Sequence, residues 1–234
     1  MNLVAIIPHY RHLETLPTVI QALREFHLPI MVIDDGSGEM YADDLQNICT
    51  DVQLFRLPEN GGKGAAMKHG LFQAAAQGFT HALQIDADAQ HAFSDIPKLL
   101  AAAQAAPDAV ICGRPIYGED APKSRLYGRQ ITNFWNAIHT HSWSAIWDGM
   151  CGFRVYPIEM TNQIIQYQYV GQRMDFDNEI LVQLYWHGAK LIWIDTPVVY
   201  ENRGISHFRA WQDNVLISKM HARLFFQMLA RLCR

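Results

Sequence analysis

Cysteine is scarce and scattered. Cys49, Cys112, Cys151 and Cys233 form no CxxC pair and no regular spacing, which excludes a zinc-ribbon site or a disulfide framework and fits a reducing compartment. Excess positive charge is also missing: 19 basic against 23 acidic residues leave a net charge of −4, so no global field draws in nucleic acid. Long apolar runs are absent. No stretch reaches the about 18 uncharged residues of a membrane-spanning helix, and the opening Met1–Pro8 lacks a basic leader and reads as a first strand. The chain is expected to be cytoplasmic, either free or peripheral on the inner face of the cell membrane. Neither GxGxxG nor GxxxxGK[ST] occurs, which argues against a dinucleotide-binding dehydrogenase or a P-loop enzyme. The 11 histidines contain no HExxH or HxxxH pair and are assigned to the surface or to satisfied core positions.

What is present is alternation. Apolar runs at 3–8, 30–33, 52–57, 82–85 and 109–112 read as strands, and amphipathic stretches at 13–26, 41–49, 65–77 and 95–106 as helices. Continuous apolar strands separated by helices predict an α/β fold with a mostly parallel, Rossmann-like sheet, in which ligands bind beyond the carboxyl ends of the strands. Pro8–Tyr10, Asp34–Gly38, Asn60–Gly64 and Asp86–Gln90 all fall there. Beyond Gly113 the pattern changes: residues 114–148 are rich in Arg, Trp and His and read as a long loop plus a helix. A returning strand at 150–156, a helix at 177–187 and a strand at 191–195 follow. Residues 1–113 are therefore assigned to a nucleotide half and 114–205 to an acceptor half.

The acidic stretch Ile85-Asp86-Ala87-Asp88-Ala89-Gln90 organises the rest. Residues two apart on an extended strand share a face, and curling at the strand end brings Asp86, Asp88 and Gln90 around one small ion. Oxygen-only ligands suit Mg²⁺ or Mn²⁺, which commonly take one or two carboxylates and the phosphates of a substrate. The competing reading makes the two carboxylates a turn and a cap for the helix that follows.

Five motifs in order resemble the family 2 glycosyltransferases of the GT-A fold, in particular the branch of dolichyl-phosphate mannose synthase and polyprenyl-phosphate sugar transferases. They are Ile7-Pro8-His9-Tyr10, Val32-Ile33-Asp34-Asp35-Gly36-Ser37, Asn60-Gly61-Gly62-Lys63-Gly64, Gln84–His91 and Asp148–Arg154, followed by Phe176-Asp177-Asn178-Glu179. The resemblance implies a nucleotide-sugar donor, UDP- or GDP-linked, and a single-step inverting transfer to a lipid-linked acceptor such as a polyprenyl phosphate. Alternatives are transfer to a hydroxyl of a glycolipid or polysaccharide, nucleotidyl transfer, and a binding module without catalysis. It implies that Asp86, Asp88 and Gln90 meet the ion and the diphosphate, with Asp88 the firmest ligand and Mg²⁺ or Mn²⁺ the cofactor. Asp34 or Asp35 would hold the base or ribose beside Pro8 and Tyr10, while Lys63 adds a cation. Arg114, Arg125 and Arg129 are candidates for phosphate contacts, and Arg154 is equally a ligand or a structural partner. Asp177 occupies the place of a catalytic base, which a hydroxyl acceptor needs and an anionic phosphate does not; it or Asp175 is otherwise a helix N-cap. Where the family often reads Pro-x-Tyr-Asn-Glu, this chain has Arg11-His12 after Tyr10, so the base is left open.

From residue 206 onward the chain is basic and amphipathic, with Phe208, Trp211, Val215, Leu216, Met220, Leu224, Phe225, Met228 and Leu232 at helical spacing. Such a helix lies in a bilayer interface or packs on the protein. His207 and Arg209 are candidates for a flap over the donor phosphates.

Overall fold

A computed structural model describes residues 1–118, 123–198 and 210–233, and the side chains of all of these except 123–125 and 210. The elements alternate as the sequence predicts: β1 (Leu3–His9), α1 (Leu16–Arg24), β2 (Ile30–Asp34), α2 (Ala42–Ile48), β3 (Gln53–Arg56), α3 (Lys63–Ala76), β4 (His81–Gln84), α4 (Ile96–Ala105), β5 (Val110–Tyr117), α5 (Lys123–Thr140), β6 (Arg154–Pro157), α6 (Ile158–Tyr167), α7 (Phe176–Trp186), β7 (Leu191–Val198) and α8 (Ala210–Leu232).

One sheet runs in the order β3-β2-β1-β4-β6-β5-β7. Among the described strands, only β6 is antiparallel to its neighbours, β4 and β5. Every residue of β1 is buried because it sits mid-sheet with helices on both faces, and successive side chains serve opposite faces. Val4 and Ile6 join Met67 and Leu71 of α3, Ile180 and Leu184 of α7, and Met220 and Leu224 of α8. Leu3, Ala5 and Ile7 join Leu16, Val19, Ile20 and Leu23 of α1 and Leu99 of α4. The chain steps outward from β1 to β2 and β3, then returns to place β4 on the other side of β1. At such a reversal the flanking loops part and leave a crevice at the carboxyl ends of the strands.

Four elements depart from the sequence reading. β6 covers only Arg154–Pro157 where the sequence predicts a strand from 150 to 156, and β7 runs past Asp195 to Val198. β5 continues past Cys112 through Gly113, Arg114 and Pro115 to Tyr117, held by parallel pairing with β7 along its whole length. Its other edge meets β6 only at Ile111 and Cys112, so Pro115 removes no ladder donor that the sheet needs. Helix α6, unrecognised in the sequence, starts directly from β6 with Pro157 as its N-cap residue and buries Ile158, Thr161 and Ile164.

Helix α8 packs on the domain. Met220, Leu224 and Met228 are buried, and Arg223 forms a bidentate pair with the buried Glu179 of α7, Nε to Oε1 at 2.8 Å and Nη2 to Oε2 at 2.6 Å. The opposite face of the helix remains open, with Trp211 82% and Phe226 69% exposed and Val215, Leu229 and Leu232 beside them. Residues 206–209, including His207 and Arg209, and the side chain of Arg125 lie outside the described set. No described helix is long and apolar enough to cross a membrane.

Candidate active site

The crevice is a cleft of about 1600 Å³. One end is formed by the loops after β1, β2 and β4, and the other by facing surfaces of α5 and α8. Of the residues singled out in the sequence, Pro8, Tyr10, Asp35, Lys63, Asp86, Asp88, Gln90, Arg129 and Asp177 line it. Asp34 and Arg114 do not.

Asp34 closes β2 fully buried. It accepts from Ser37 and meets His9 Nδ1 at 3.1 Å and Arg56 Nε at 3.3 Å. Burial raises its pKa, but His9 and Ser37 override this and hold the carboxyl below the ordinary range. Asp34 thus builds the turn, and Asp35 faces the cleft. The Asp35 carboxylate takes N–H groups from Gly61 at 2.9 Å and Gly62 at 2.7 Å, and Asn60 Nδ2 at 2.9 Å, tying the glycine-rich segment to the end of β2. Gly62 needs its left-handed backbone (φ 101°) to open α3, and a Cβ there would lie 2.7 Å from the Gln172 carbonyl oxygen. Arg173 buttresses this loop from behind, donating to Asn60 Oδ1 at 3.0 Å and to the Asn60 carbonyl at 3.2 Å.

Lys63, at the start of α3, points down into the floor. Its Nζ lies 2.7 Å from both Asp86 Oδ1 and Asp177 Oδ2. Burial works against the ammonium, but Asp177 and Asp86 outweigh it and raise the pKa above the ordinary lysine value. Asp86, conversely, is held low: burial opposes its charge, and Lys63 and His91 override that. Gln84 Nε2 donates to the remaining Asp177 oxygen at 2.9 Å. Beneath them the buried Arg154 donates to the Asp177 carbonyl at 2.5 Å, to the Gly149 carbonyl at 3.0 Å and to Tyr156 Oη at 3.2 Å. Two cations and two carboxylates therefore neutralise one another in the floor. Gly152 lies against this cluster, where a Cβ would fall 2.5 Å from Lys63 Nζ and 2.7 Å from Asp86 Oδ1.

Asp88 stands apart from that cluster, half-buried on the cleft wall. Its Oδ1 accepts the Gln90 backbone N–H at 3.1 Å, and Ala89 between them takes a positive φ of 58°. Asp88 thus closes a turn, but neither it nor Asp86 caps the following helix, whose N-cap residue is Asp95; Asp88 and Gln90 both line the cleft. Among the described residues no group of three His, Cys, Asp or Glu side chains is arranged to hold a metal. The donor set does fit a hard ion whose shell a diphosphate completes, with Asp88 as the available carboxylate and Asp86 engaged by Lys63.

Arg114 and Arg129, two of the arginines carried from the sequence, have carboxylate partners. Arg114 forms a bidentate pair with Asp195, its cross-strand neighbour on β7, with Nη2 at 2.6 Å from Oδ2, outside the cleft lining. Arg129 pairs with the buried Asp148 at 2.6 Å. The other Asp148 oxygen accepts the N–H groups of Met150 and Cys151, bracing the segment that carries Gly152. Asp177 lies in the first turn of α7, two residues after its N-cap residue, Asp175.

Sequence reasoning missed four contributors. His91 lies 3.5 Å from Asp86 and stacks on Phe153 at 4.9 Å; its place directly after Gln90 was the available signal. Arg173 carries no local signal. Trp135 of α5 and His221 of α8 line the far wall, and their pairing depends on how α8 docks. His221 Nδ1 lies 3.1 Å from His139 Nε2, and the two imidazoles and the Trp135 indole stack with centroids 5.4–5.9 Å apart. Burial lowers the pKa of His139 to about 4 and, with His139 adding to it, that of His221 to about 3.

A mostly parallel sheet with one antiparallel strand, a crevice at its switch point and an acidic turn on that crevice define a glycosyltransferase of the GT-A type. The whole fold matches the crystal structure of glucosyl-3-phosphoglycerate synthase from Mycobacterium tuberculosis, solved with Mn²⁺, UDP-glucose and phosphoglyceric acid. The TM-score is 0.68 at 14% identity, over 98% of this chain and 79% of that one. The sequence profile described as glycosyl transferase family 2 matches residues 4–164, and the chain belongs to that family. It is 26% identical over 202 residues to dolichyl-phosphate beta-glucosyltransferase of Dictyostelium discoideum, covering 76% of this chain and 61% of the relative. It is 29% identical over 172 residues to polyprenol monophosphomannose synthase of Mycolicibacterium smegmatis, covering 69% and 63%. The chain thus spans less than two thirds of either enzyme's length.

Proposed function

We propose that this glycosyltransferase moves a sugar, with inversion, from a UDP- or GDP-linked donor to a polyprenyl phosphate or a similar lipid-linked phosphate, with Mg²⁺ or Mn²⁺ held at Asp88. The observation that carries the reading is the shape of the cleft. It runs from the acidic turn to a wall formed by α5 and α8; Tyr127 and Ile131 of α5 are exposed on the cleft lining, and Phe134 of α5 and Trp211, Val215, Phe226 and Leu229 of α8 are exposed outside it. These two aromatic stripes favour a peripheral position on a membrane surface, on the cytoplasmic side, with the cleft open to a lipid headgroup. The names of the relatives point to the same acceptor class.

Pro8, Tyr10 and Asp35 shape the nucleoside end, with the Asp35-anchored glycine loop allowing close backbone approach. Asp88 and Gln90 supply oxygen ligands for the ion, which when bound offsets the charge on the departing diphosphate. The acceptor oxygen attacks the anomeric carbon from the side opposite the leaving group. The bond to the diphosphate oxygen breaks, and that oxygen keeps the electron pair. Both Asp177 carboxylate oxygens are occupied, by Lys63 and Gln84, which suits an acceptor already ionised and needing no base.

Transfer of labelled sugar to vesicles containing polyprenyl phosphate tests the reading, with glycolipid vesicles as the comparison. Product on the phosphate lipid alone is expected; product on the hydroxyl lipid alone would refute it. A hydroxyl acceptor with Asp177 as base is the second reading, favoured by the placement of that carboxylate in the cleft floor. Asp177→Asn, assayed where a melt shows it folded, keeps most activity under the first reading and loses nearly all under the second.

A further inference from the structure

The loop after β1 holds Arg11 in a left-handed backbone conformation, φ 58°, which is uncommon for a residue with a side chain and costly unless its surroundings impose it. Here they do. The Arg11 N–H donates to Ser37 Oγ at 3.0 Å, and the next N–H, that of His12, donates to His9 Nε2 at 3.1 Å. With Nε2 accepting, the His9 proton sits on Nδ1 and is given to Asp34 Oδ1 at 3.1 Å. The Ser37 hydroxyl donates to the same Asp34 oxygen. His9, Asp34 and Ser37 are all buried, so a closed polar network fixes the turn on both sides of Arg11.

The turn presents the guanidinium to the cleft. Arg11 lines it, with its guanidinium carbon 4.9 Å from the ring centroid of Tyr10 and 5.7 Å from that of Tyr41. Tyr41 follows β2, and β2 lies across β1 from β4, the strand that leads to the acidic turn. Arg11 therefore stands at the nucleoside end, away from the ion and the diphosphate. The other lysine and arginine side chains on the lining are occupied: Lys63 by Asp86 and Asp177, Arg129 by Asp148, and Arg173 by Asn60. Arg11 alone among these described cations makes no ion pair and no side-chain hydrogen bond. The carboxylates at this end are engaged as well. Asp34 is buried in the network, and Asp35 takes the N–H groups of Gly61, Gly62 and Asn60. What this end offers a base is an open fork of donors.

Arginine carries donors only, in a planar fork that fits two neighbouring acceptors. Guanine presents such a pair, O6 and N7. Uracil does not, since its two carbonyls flank an N3–H that itself calls for an acceptor. We infer that Arg11 is the specificity-determining residue for the donor, reading the O6 and N7 edge of guanine, so that the donor is GDP-linked. This rests on the nucleotide-sugar reading above and chooses between the two nucleotides it leaves open. Titration calorimetry of the full chain with Mn²⁺ tests it, using GDP, UDP and 7-deaza-GDP, in which a C–H replaces N7. The wild type should bind GDP about tenfold tighter than UDP, the discrimination expected of one bidentate contact, with 7-deaza-GDP between them. Arg11→Met keeps the aliphatic stem and removes the fork. Compared where a melt shows it folded, it should lose about tenfold for GDP, bind GDP and 7-deaza-GDP alike, and bind UDP nearly as the wild type does. Arg11→Lys restores the charge without the fork and should recover little of the preference. UDP binding as tight as GDP in the wild type would overturn the assignment. So would an equal loss of both nucleotides in Arg11→Met, which marks a contact to their shared ribose or diphosphate, or full recovery by lysine, which marks charge alone. Each of these leaves the donor class standing, whereas a wild type that binds neither nucleotide would overturn the nucleotide-sugar reading together with this one.

Discussion

Replacing Lys63 by methionine isolates the charge arrangement on which the cleft floor is built. The substitution keeps most of the side-chain volume and deletes the cation lying 2.7 Å from both Asp86 and Asp177. Removing one member of a buried ionic cluster leaves charge uncompensated, a loss of about 3–5 kcal/mol. The Asp86 side chain keeps 25% of its surface open to the cleft, so the lower end, about 3 kcal/mol, is expected. The pH dependence has a definite sign. In the wild type Lys63 and His91 hold the Asp86 pKa below its ordinary value against burial. Its contribution is therefore complete above pH about 4 and fades only as pH falls through the depressed pKa. In Lys63→Met, burial and mutual repulsion raise at least one of the two carboxyl pKa values above the ordinary range. The variant's deficit is then greatest at neutral pH and narrows as pH falls through about 5. Denaturant unfolding of both proteins at neutral and mildly acidic pH measures this directly. A variant as stable as wild type, or a deficit that does not change with pH, would refute the reasoning.

Gly152→Ala forces a methyl group against Lys63 Nζ, Gln84 Nε2 and Asp86 Oδ1, and should cost about 1–3 kcal/mol in unfolding experiments while lowering turnover at saturating donor. Arg223→Met strands the buried Glu179, whose pKa burial already raises against the pull of Arg223. A stability loss of about 3 kcal/mol is expected, with limited proteolysis cutting α8 from the domain sooner than in wild type. Trp211→Ser combined with Phe226→Ser removes two exposed rings; sedimentation with anionic vesicles should fall while nucleoside diphosphate binding holds.

The fold of residues 1–113 was legible because its information is local. Buried strands such as β1 and β2 are continuous apolar runs, and each ends in a motif that must lie beyond a parallel sheet. Asp86, Asp88 and Gln90 all reach the cleft as strand periodicity and turn chemistry suggest, but Asp86 is taken by Lys63 and His91 while Asp88 stands apart. What stayed hidden was pairing between distant segments. Lys63 reads as a cation offered to a donor, yet the fold returns α7 to α3 and sets Asp177 against it. Arg114 and Arg129 read alike, but Asp195 and Asp148 claim them from elements that sequence spacing does not bring near. The amphipathic pattern of α8 was plain, whereas its docking depends on Arg223 finding Glu179. Helix α6 escaped because it leaves β6 without an intervening loop, so no turn residues announced a new element.

The central claim is that Asp88 holds a divalent ion which joins the nucleoside diphosphate to the protein. Titrating UDP and GDP against wild type and Asp88→Asn, each with and without Mn²⁺, tests it most directly. The account predicts that Mn²⁺ strengthens binding of at least one nucleotide to the wild type and has no such effect on Asp88→Asn, with both proteins equally folded. Nucleotide binding that ignores Mn²⁺ in the wild type, or a Mn²⁺ effect that survives Asp88→Asn unchanged, would contradict it.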